Sequence, residues 1–428
     1  MGNLELKEEE RVANVVESFK AIDILDDKPI IAVNSVWTKN SLLCNIMHTH
    51  PNTWREFMKE EYKCISIKED GKLAIFNYSI GANFSDPVVR EARGIIIDTR
   101  FHKVVCRPFS KFFKYDEPNH HRINWKHARA DEKIDGSLIK LWYNYIDNEW
   151  VFSTNSNIYA KYSPLNLNTN LTFLDAIKSA DNYGMIECLI EDEELNKDYT
   201  YMFELIGRGN QVVIKYDTTR LYHIGTRNNN TGEEYDIDLG IVRPNRQYVN
   251  SLDFCINYVS NVLNTSNKKK ITGCSSEGLV VVDDNFNRIK VKSPIYVILH
   301  NLINNGETSK KQLLLLIHED KIDIDSVCKQ FPNMSHWIRY YSFKYDEFAY
   351  QVNSFVSIVR KLYEESTYNR KLVAERIKGH KYASIAFKAL DNSLTVEEIM
   401  NSMTGGFIHQ LCKFIPNYEP ENYGYLFG

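Results

Sequence analysis

Between residues 63 and 300 the sequence is a succession of short β-branched and aromatic runs closed by Gly, Asp or Asn, and this texture restricts the chain more than any other feature. Runs such as CISIKEDGKLAIFNYSI, ARGIIIDTRFHKVVCRPF, GSLIKLWYN, YTYMFELIG and EGLVVVD are bounded by turn residues and predict strands and hairpins. Helix-like pieces at 174–183 and 252–263 interrupt them, so the class is α+β rather than all-β. Residues 1–60 read as a helix-rich N-terminal extension, with Leu43, Met47, Trp54, Phe57 and Met58 near helical spacing. After Pro294 the pattern changes again: Phe348, Val352, Phe355, Val359 and Leu362 step by four and three, one face of a helix. The expected division is therefore 1–60, a sheet-rich domain over 61–300, and a helical C-terminal domain over 301–428.

A net charge of −4 argues against nonspecific coating of nucleic acid. Residues 336–390 nevertheless hold ten Lys and Arg against five acids, a local excess that is either a solvated face or a binding surface for a polyanion. No apolar run approaches the ~20 residues that span a bilayer, and the N-terminal stretch mixes charge signs without an apolar core, unlike a secretory signal. The expectation is a monomeric chain that stays in the cytoplasm, a host's cytoplasm if its source is viral, and uses no membrane. Eight cysteines without a Cys-x-x-Cys pair predict reduced thiols rather than a disulfide framework or zinc knuckle. His48, His50, His120 and His121 lack partners at zinc spacing and are expected to be surface or packing residues.

The sharpest local feature is Lys133-Ile134-Asp135-Gly136-Ser137, a lysine at a strand end, an Asp-Gly turn and a new strand over 138–143. Alone it is a common turn. Its company is more specific: Phe203-Glu204-Leu205-Ile206-Gly207, Leu221-Tyr222-His223-Ile224-Gly225, Glu277-Gly278-Leu279-Val280-Val281 and Lys290-Val291-Lys292 follow in order. This series resembles the motifs of the covalent nucleotidyltransferases, the superfamily of ATP-dependent ligases and mRNA capping enzymes. Within it the sequence is most similar to the RNA ligase 1 family of T-even phages. The marks are Phe76-Asn77-Tyr78, Glu91-Ala92-Arg93-Gly94, Arg107-Pro108 leading to Lys111-Phe112-Phe113, Lys292-Ser293 leading to Tyr296-Val297 and His300, and Lys413-Phe414-Ile415-Pro416. The resemblance implies an ATP-grasp-like nucleotidyltransferase domain of antiparallel sheets with flanking helices, followed by the all-helical domain.

It also implies roles. Lys133 would attack the α-phosphorus of ATP and become lysyl-AMP, with Asp135 positioning it and a metal, and Gly136 supplying the turn and room for the ribose. An ordinary lysine, pKa ~10.4, is protonated at neutral pH and has no lone pair to offer. Lys290 and Lys292, two apart on a strand and so on one face, are expected together with a nearby divalent metal to lower that pKa by like-charge repulsion and later to stabilise the α-phosphate. Glu204 lies in an apolar run, where a carboxylate is costly without a partner; the resemblance assigns it to the ribose hydroxyls, and Glu132 to nucleotide contact. Glu277 would face a hydrated Mg²⁺ or Mn²⁺, with Asp323 as a second, C-terminal metal ligand, a position for which Glu319, Asp320 and Asp325 compete. Arg93, Lys111 and Tyr78 would hold the pyrophosphate end.

The resulting expectation is an ATP-dependent RNA ligase that joins 5′-phosphate and 3′-hydroxyl RNA ends through lysyl-AMP and AMP-RNA, with nicked tRNA in an RNA-repair setting as a candidate substrate. A helical rather than OB-fold C-terminal domain favours RNA sealing over capping or DNA joining. A capping-type guanylyltransferase and a noncatalytic RNA-binding relative are the alternatives.

Overall fold

The computed structural model of the chain describes residues 41–165, 170–207, 209–261, 270–271, 273–304, 307–391, 394–403 and 405–419. Residues 1–40 of the expected extension therefore lie outside the described residues. Ser41 caps α1 (Leu42–Thr49) by accepting the Cys44 backbone N–H, and α2 (Trp54–Glu61) follows. Their buried faces, Leu43, Met47, Trp54 and Met58, lie against an antiparallel sheet of β1 (Ile65–Asp70), β2 (Leu73–Tyr78), β3 (Arg93–Asp98) and β4 (Lys103–Cys106), with α3 (Pro87–Glu91) between β2 and β3. The two central strands are covered on both sides, which is why their sequences are continuous apolar runs rather than alternating ones. Ala74, Phe76, Ile95 and Ile97 meet the helices. Leu73, Ile75 and Ile96 meet Trp142 and Val151 of the next sheet. The boundary expected at residue 60 thus cuts one core in two, and residues 41–61 are part of this sheet's packing rather than an addition to it.

Two further sheets build the centre. One runs β12 (Arg246–Tyr248), β6 (Arg129–Glu132), β13 (Gly278–Val282), β14 (Arg288–Lys292) and β5 (Phe113–Lys114), the last pair parallel and the rest antiparallel. The other has the order β11 (Glu234–Tyr235), β10 (Arg220–Asn228), β9 (Tyr199–Ile206), β7 (Ser137–Asn144) and β8 (Glu149–Thr154). The helical pattern at 174–183 resolves into α4 (Phe173–Lys178) and α5 (Tyr183–Glu191), which cover this sheet's outer face. The outer face of the β6–β13–β14 sheet is closed by Cys255 and Val259 of α6 (Leu252–Asn261). Between the two sheets Phe109, Phe112 and Met202 form a small apolar floor.

The C-terminal part is helical: α7 (Pro294–Asn304), α8 (Glu307–His318), α9 (Ile324–Gln330), α10 (Ser335–Glu365), α11 (Arg370–Ile377), α12 (Ala383–Lys388), α13 (Val396–Asn401) and α14 (Gly406–Phe414). The expected stripe is on α10, where Phe348, Val352 and Val359 are buried and Phe355 and Leu362 pack partly buried on the same core. This core begins before residue 301. Tyr296 and Leu299 belong to it, and so do Val213 and Ile214 from the sheet domain, so the expected boundary falls inside α7 and the two parts share packing. Among the described residues no helix is long and apolar enough to cross a membrane, and none of the eight cysteines is joined in a disulfide.

Candidate active site

β6 ends at Glu132 and β7 begins at Ser137, so Lys133 to Gly136 form the link by which the chain passes from one central sheet to the other. The Lys133 backbone N–H donates to Gly278 O at 2.9 Å, which continues the β6–β13 ladder and fixes where the side chain emerges. At Gly136 a Cβ would stand 2.2 Å from Leu205 O and 2.9 Å from Leu205 C. The missing side chain is therefore required by the approach of β9. The Gly136 N–H donates to Glu204 Oε1 at 3.2 Å, which ties the same turn to the carboxylate in the middle of β9.

Asp135 is only 2% exposed. Its Oδ2 accepts the backbone N–H groups of Val213 (2.8 Å) and Ile214 (2.7 Å), and its Oδ1 accepts the Tyr296 hydroxyl at 2.7 Å. Both oxygens are thus taken by protein donors, and Asp135 is not among the residues lining the central cavity. The expected metal-orienting carboxylate is a buried clamp that joins the Lys133 loop, the segment after β9 and α7 of the helical domain.

Lys133, Glu132, Gly136, Glu204, Arg93 and Lys290 line a cavity of about 270 Å³ between the central sheets, floored by Phe109 and Phe112. Glu277 and Lys292 are not among its lining residues, and the charges in and beside it differ from the expected pattern. Lys133 Nζ donates to Glu277 Oε2 at 2.6 Å, and Lys292 Nζ pairs with Glu277 Oε1 at 2.8 Å. Burial opposes the ammonium of Lys133, but the carboxylates of Glu277, Glu204 and Asp135 outweigh it and hold its pKa above the ordinary value. The lowering of that pKa expected from Lys290 and Lys292 is therefore not what the side chains alone produce: a shared carboxylate lies between Lys133 and Lys292 and favours the charged form of Lys133. Glu277 remains ionised despite burial because of the same two lysines.

Lys290 is the exception. Burial, then repulsion from Arg93, Lys133 and Lys111, brings its pKa down to about 7. No carboxylate pairs with it among the described residues, and its Nζ lies 4.6 Å from the Phe112 ring centroid. Glu204 moves the opposite way, up to about 7, through burial that Lys133 only partly offsets. Arg93 sits at the cavity wall with NH1 on Phe109 O (3.2 Å). Lys111 is held by three rings, with Nζ 5.3 Å from Tyr78, 4.8 Å from Phe84 and 5.7 Å from Phe113. Neither Lys111 nor Tyr78 lines the central cavity, and Tyr78 meets Lys111 through its ring face. Glu132 Oε2 accepts Asn245 Nδ2 at 2.8 Å at the rim.

Asp323 is elsewhere. It is the N-cap of α9, accepting the Ser326 N–H at 2.9 Å, in the helical domain and off the cavity wall. Among the described residues no cluster of His, Cys, Asp or Glu could hold a metal ion, and both Glu277 oxygens carry ammonium groups. The donor set does not fit a resident metal. Sequence reasoning also passed over Lys140, which is wholly buried, donates to Gly94 O behind Arg93 and has its pKa lowered to about 8 by burial. The available signal was a lysine inside the otherwise apolar run Leu138-Ile139-Lys140-Leu141-Trp142.

Residues 91–296 match the model of the RNA ligase family. A bifunctional polynucleotide kinase/RNA ligase of Autographa californica nuclear polyhedrosis virus is 30% identical over 288 residues, covering 63% of this chain and 39% of the viral protein. An RNA ligase of Thermovibrio ammonificans is 28% identical over 181 residues, 40% of this chain and 43% of that protein. This chain therefore spans about two fifths of the length of the curated relatives it matches. An archaeal ATP-dependent RNA ligase structure aligns with a TM-score of 0.42 and 13% identity, over 72% of this chain and 81% of that one.

Proposed function

We propose that this chain, whose residues 91–296 match the RNA ligase family, joins RNA ends in an ATP-dependent reaction that passes through an AMP adduct on Lys133. The observation that carries the reading is the placement of Lys133 in one cavity with Lys290, Arg93 and Glu204. It combines a potential nucleophile with uncompensated positive charge where a phosphate would sit. ATP would enter with a divalent cation bound to its own phosphates, since Mg²⁺ is commonly brought by the nucleotide rather than by a protein cage.

Lys133 starts as an ammonium, so it sheds one proton before attack and a second as the phosphoramidate forms; Glu277, at 2.6 Å, is the acceptor within reach. Nζ then bonds to the α-phosphorus and pyrophosphate leaves. Lys290 and Arg93 stabilise charge on the α-phosphate in that in-line displacement. In the second step a 5′-phosphate oxygen of RNA takes the AMP and frees Lys133. In the third, the 3′-hydroxyl of the other end attacks the activated 5′-phosphate, the phosphodiester forms and AMP leaves. The helical domain, with its basic excess over 336–390, would contact the RNA, and a broken tRNA in RNA repair is the substrate class we favour.

The test is labelling with ATP carrying ³²P at the α position. Wild type is expected to become covalently labelled and Lys133→Ala to remain unlabelled. Label from GTP instead of ATP would favour the capping alternative, and equal labelling of Lys133→Ala would refute the assignment.

A further inference from the structure

A second and larger cavity, about 650 Å³, adjoins the first and shares Phe109, Phe112 and Arg288 with it. Lys133, Glu204 and Lys290 are absent from its wall, so it meets the first cavity across the shared Phe109, Phe112 and Arg288 rather than around the nucleophile. Its wall includes Arg90, Arg107, Lys111, His121, Arg227 and Arg288.

The pairing of these groups is incomplete. Arg288 is matched with Glu234 at 2.5 Å, and Arg107 donates to Glu91 Oε1 at 3.1 Å. Arg107 is 4% exposed, yet its Nε and NH1 have no hydrogen-bond partner. Glu91 divides its charge further, since Oε2 also accepts from Ser41 Oγ and the Leu43 N–H. Arg227 is held only by oxygens without formal charge, with Nε on Gly232 O (2.7 Å) and NH1 on Pro108 O (2.8 Å). Arg90, Arg227 and Lys111 have no carboxylate within ion-pair distance among the described residues. His121 accepts the Arg288 backbone N–H on Nδ1 at 3.0 Å, which keeps the ring neutral with the proton on Nε2. Burial and repulsion from Arg107 and Arg288 bring the Arg227 pKa down to about 10, although Glu234 and Glu91 oppose this. The cavity therefore carries excess positive charge and spare donors, the complement of a terminal phosphate.

Stereochemistry says which phosphate. On the reading proposed above, on which this inference rests, Lys133 is the entering group in the first displacement and the leaving group in the second, both at one phosphorus. In-line geometry puts the other apical group opposite Nζ each time. Pyrophosphate departs from that place and the RNA 5′-phosphate must arrive in it. We infer that the second cavity is the binding site for the 5′-terminal phosphate of the RNA, occupied in the preceding step by departing pyrophosphate, with Arg90, Arg227, Arg288 and neutral His121 as its binding residues. When the RNA phosphate oxygen attacks, a P–O bond to AMP forms, the P–Nζ bond breaks, and Nζ takes up protons as it leaves.

The test compares a 5′-phosphorylated RNA oligonucleotide with the 5′-hydroxyl strand of the same sequence, by fluorescence anisotropy with the full chain and no ATP. Wild type is expected to prefer the phosphorylated strand about tenfold or more, and inorganic pyrophosphate should displace it. Arg90→Gln, a change on the half-buried face of α3 with no ion pair to disturb, should erase most of that preference. Arg227→Gln, retained for comparison only if its melting temperature matches wild type, should do the same. In single turnover from preformed lysyl-AMP, Arg90→Gln should slow transfer to the 5′-phosphate by a similar factor. Equal wild-type affinity for the two strands, or displacement by pyrophosphate without any 5′-phosphate preference, would overturn the inference. A wild type that never takes AMP label but prefers the phosphorylated strand would refute the ligase reading and support the cavity's ligand.

Discussion

Replacing Lys290 with methionine should stabilise the ligand-free protein while removing its response to ATP. A pKa near 7 in the folded state, against 10.5 ordinarily, means that below pH 7 the fold carries an ammonium it disfavours. At 1.36 kcal/mol per pH unit the penalty is up to about 5 kcal/mol. Lys290 is half-buried rather than sealed, and solvent screening brings a realistic figure to about 2–3 kcal/mol. Methionine keeps most of the chain length and removes the charge, so Lys290→Met should raise the melting temperature at pH 6 by ~3 °C. The sign with pH follows from proton linkage. Below pH 7 the folded and unfolded chains both protonate residue 290 and the penalty is complete. Between pH 7 and 10.5 the folded chain has released that proton and the unfolded chain has not, so wild-type stability rises with pH over this window. The advantage of Lys290→Met should therefore shrink between pH 6 and pH 9. Glu204 and Lys140 also titrate there, but they are common to both proteins and largely cancel in the difference. Scanning calorimetry with and without ATP reads both effects: wild type should gain stability from ATP and the variant should not. A variant that melts below wild type at pH 6, or a difference that is constant from pH 6 to pH 9, would refute the reasoning.

Gly136→Ala places a methyl group 2.2 Å from a β9 carbonyl oxygen; it should cost about 1–3 kcal/mol in urea unfolding and abolish AMP labelling, and a stable, fully active variant would contradict the close approach. Tyr296→Phe leaves Asp135 Oδ1 without its donor and should lower stability by about 1–3 kcal/mol, with limited proteolysis revealing a loosened contact between α7 and the Lys133 loop. Asp323→Ala removes a helix cap and should cost about 1 kcal/mol with AMP labelling unchanged; a tenfold or greater loss of labelling at full folding would restore the metal role expected for that carboxylate.

Much of the sheet domain was legible because strand runs and turn residues are local signals. Phe76, Ile95 and Ile97 announce buried strands by composition alone, and the α10 stripe announces its helix by period. The N-terminal boundary was not legible, since α1 and α2 look like a separate amphipathic lead-in until the sheet they cover is present. The second cavity was missed for a similar reason. Arg90, His121, Arg227 and Arg288 come from four distant segments, and none stands in a motif.

The order of the lysine, glutamate and paired-lysine motifs is written along the chain, and the proposal of a nucleotidyl-transfer site centred on Lys133 starts from it. Charge state is not written there, because a pKa depends on which groups lie within a few ångströms and on how much water reaches them. Two lysines on one strand face looked alike; folding gave Lys292 the Glu277 carboxylate and left Lys290 against an aromatic ring. Folding likewise spent both oxygens of Asp135 on backbone and tyrosine donors. Residue types and their order set what chemistry the chain can offer, whereas the distances between side chains brought together from remote segments decide which of those groups is charged, buried and in reach.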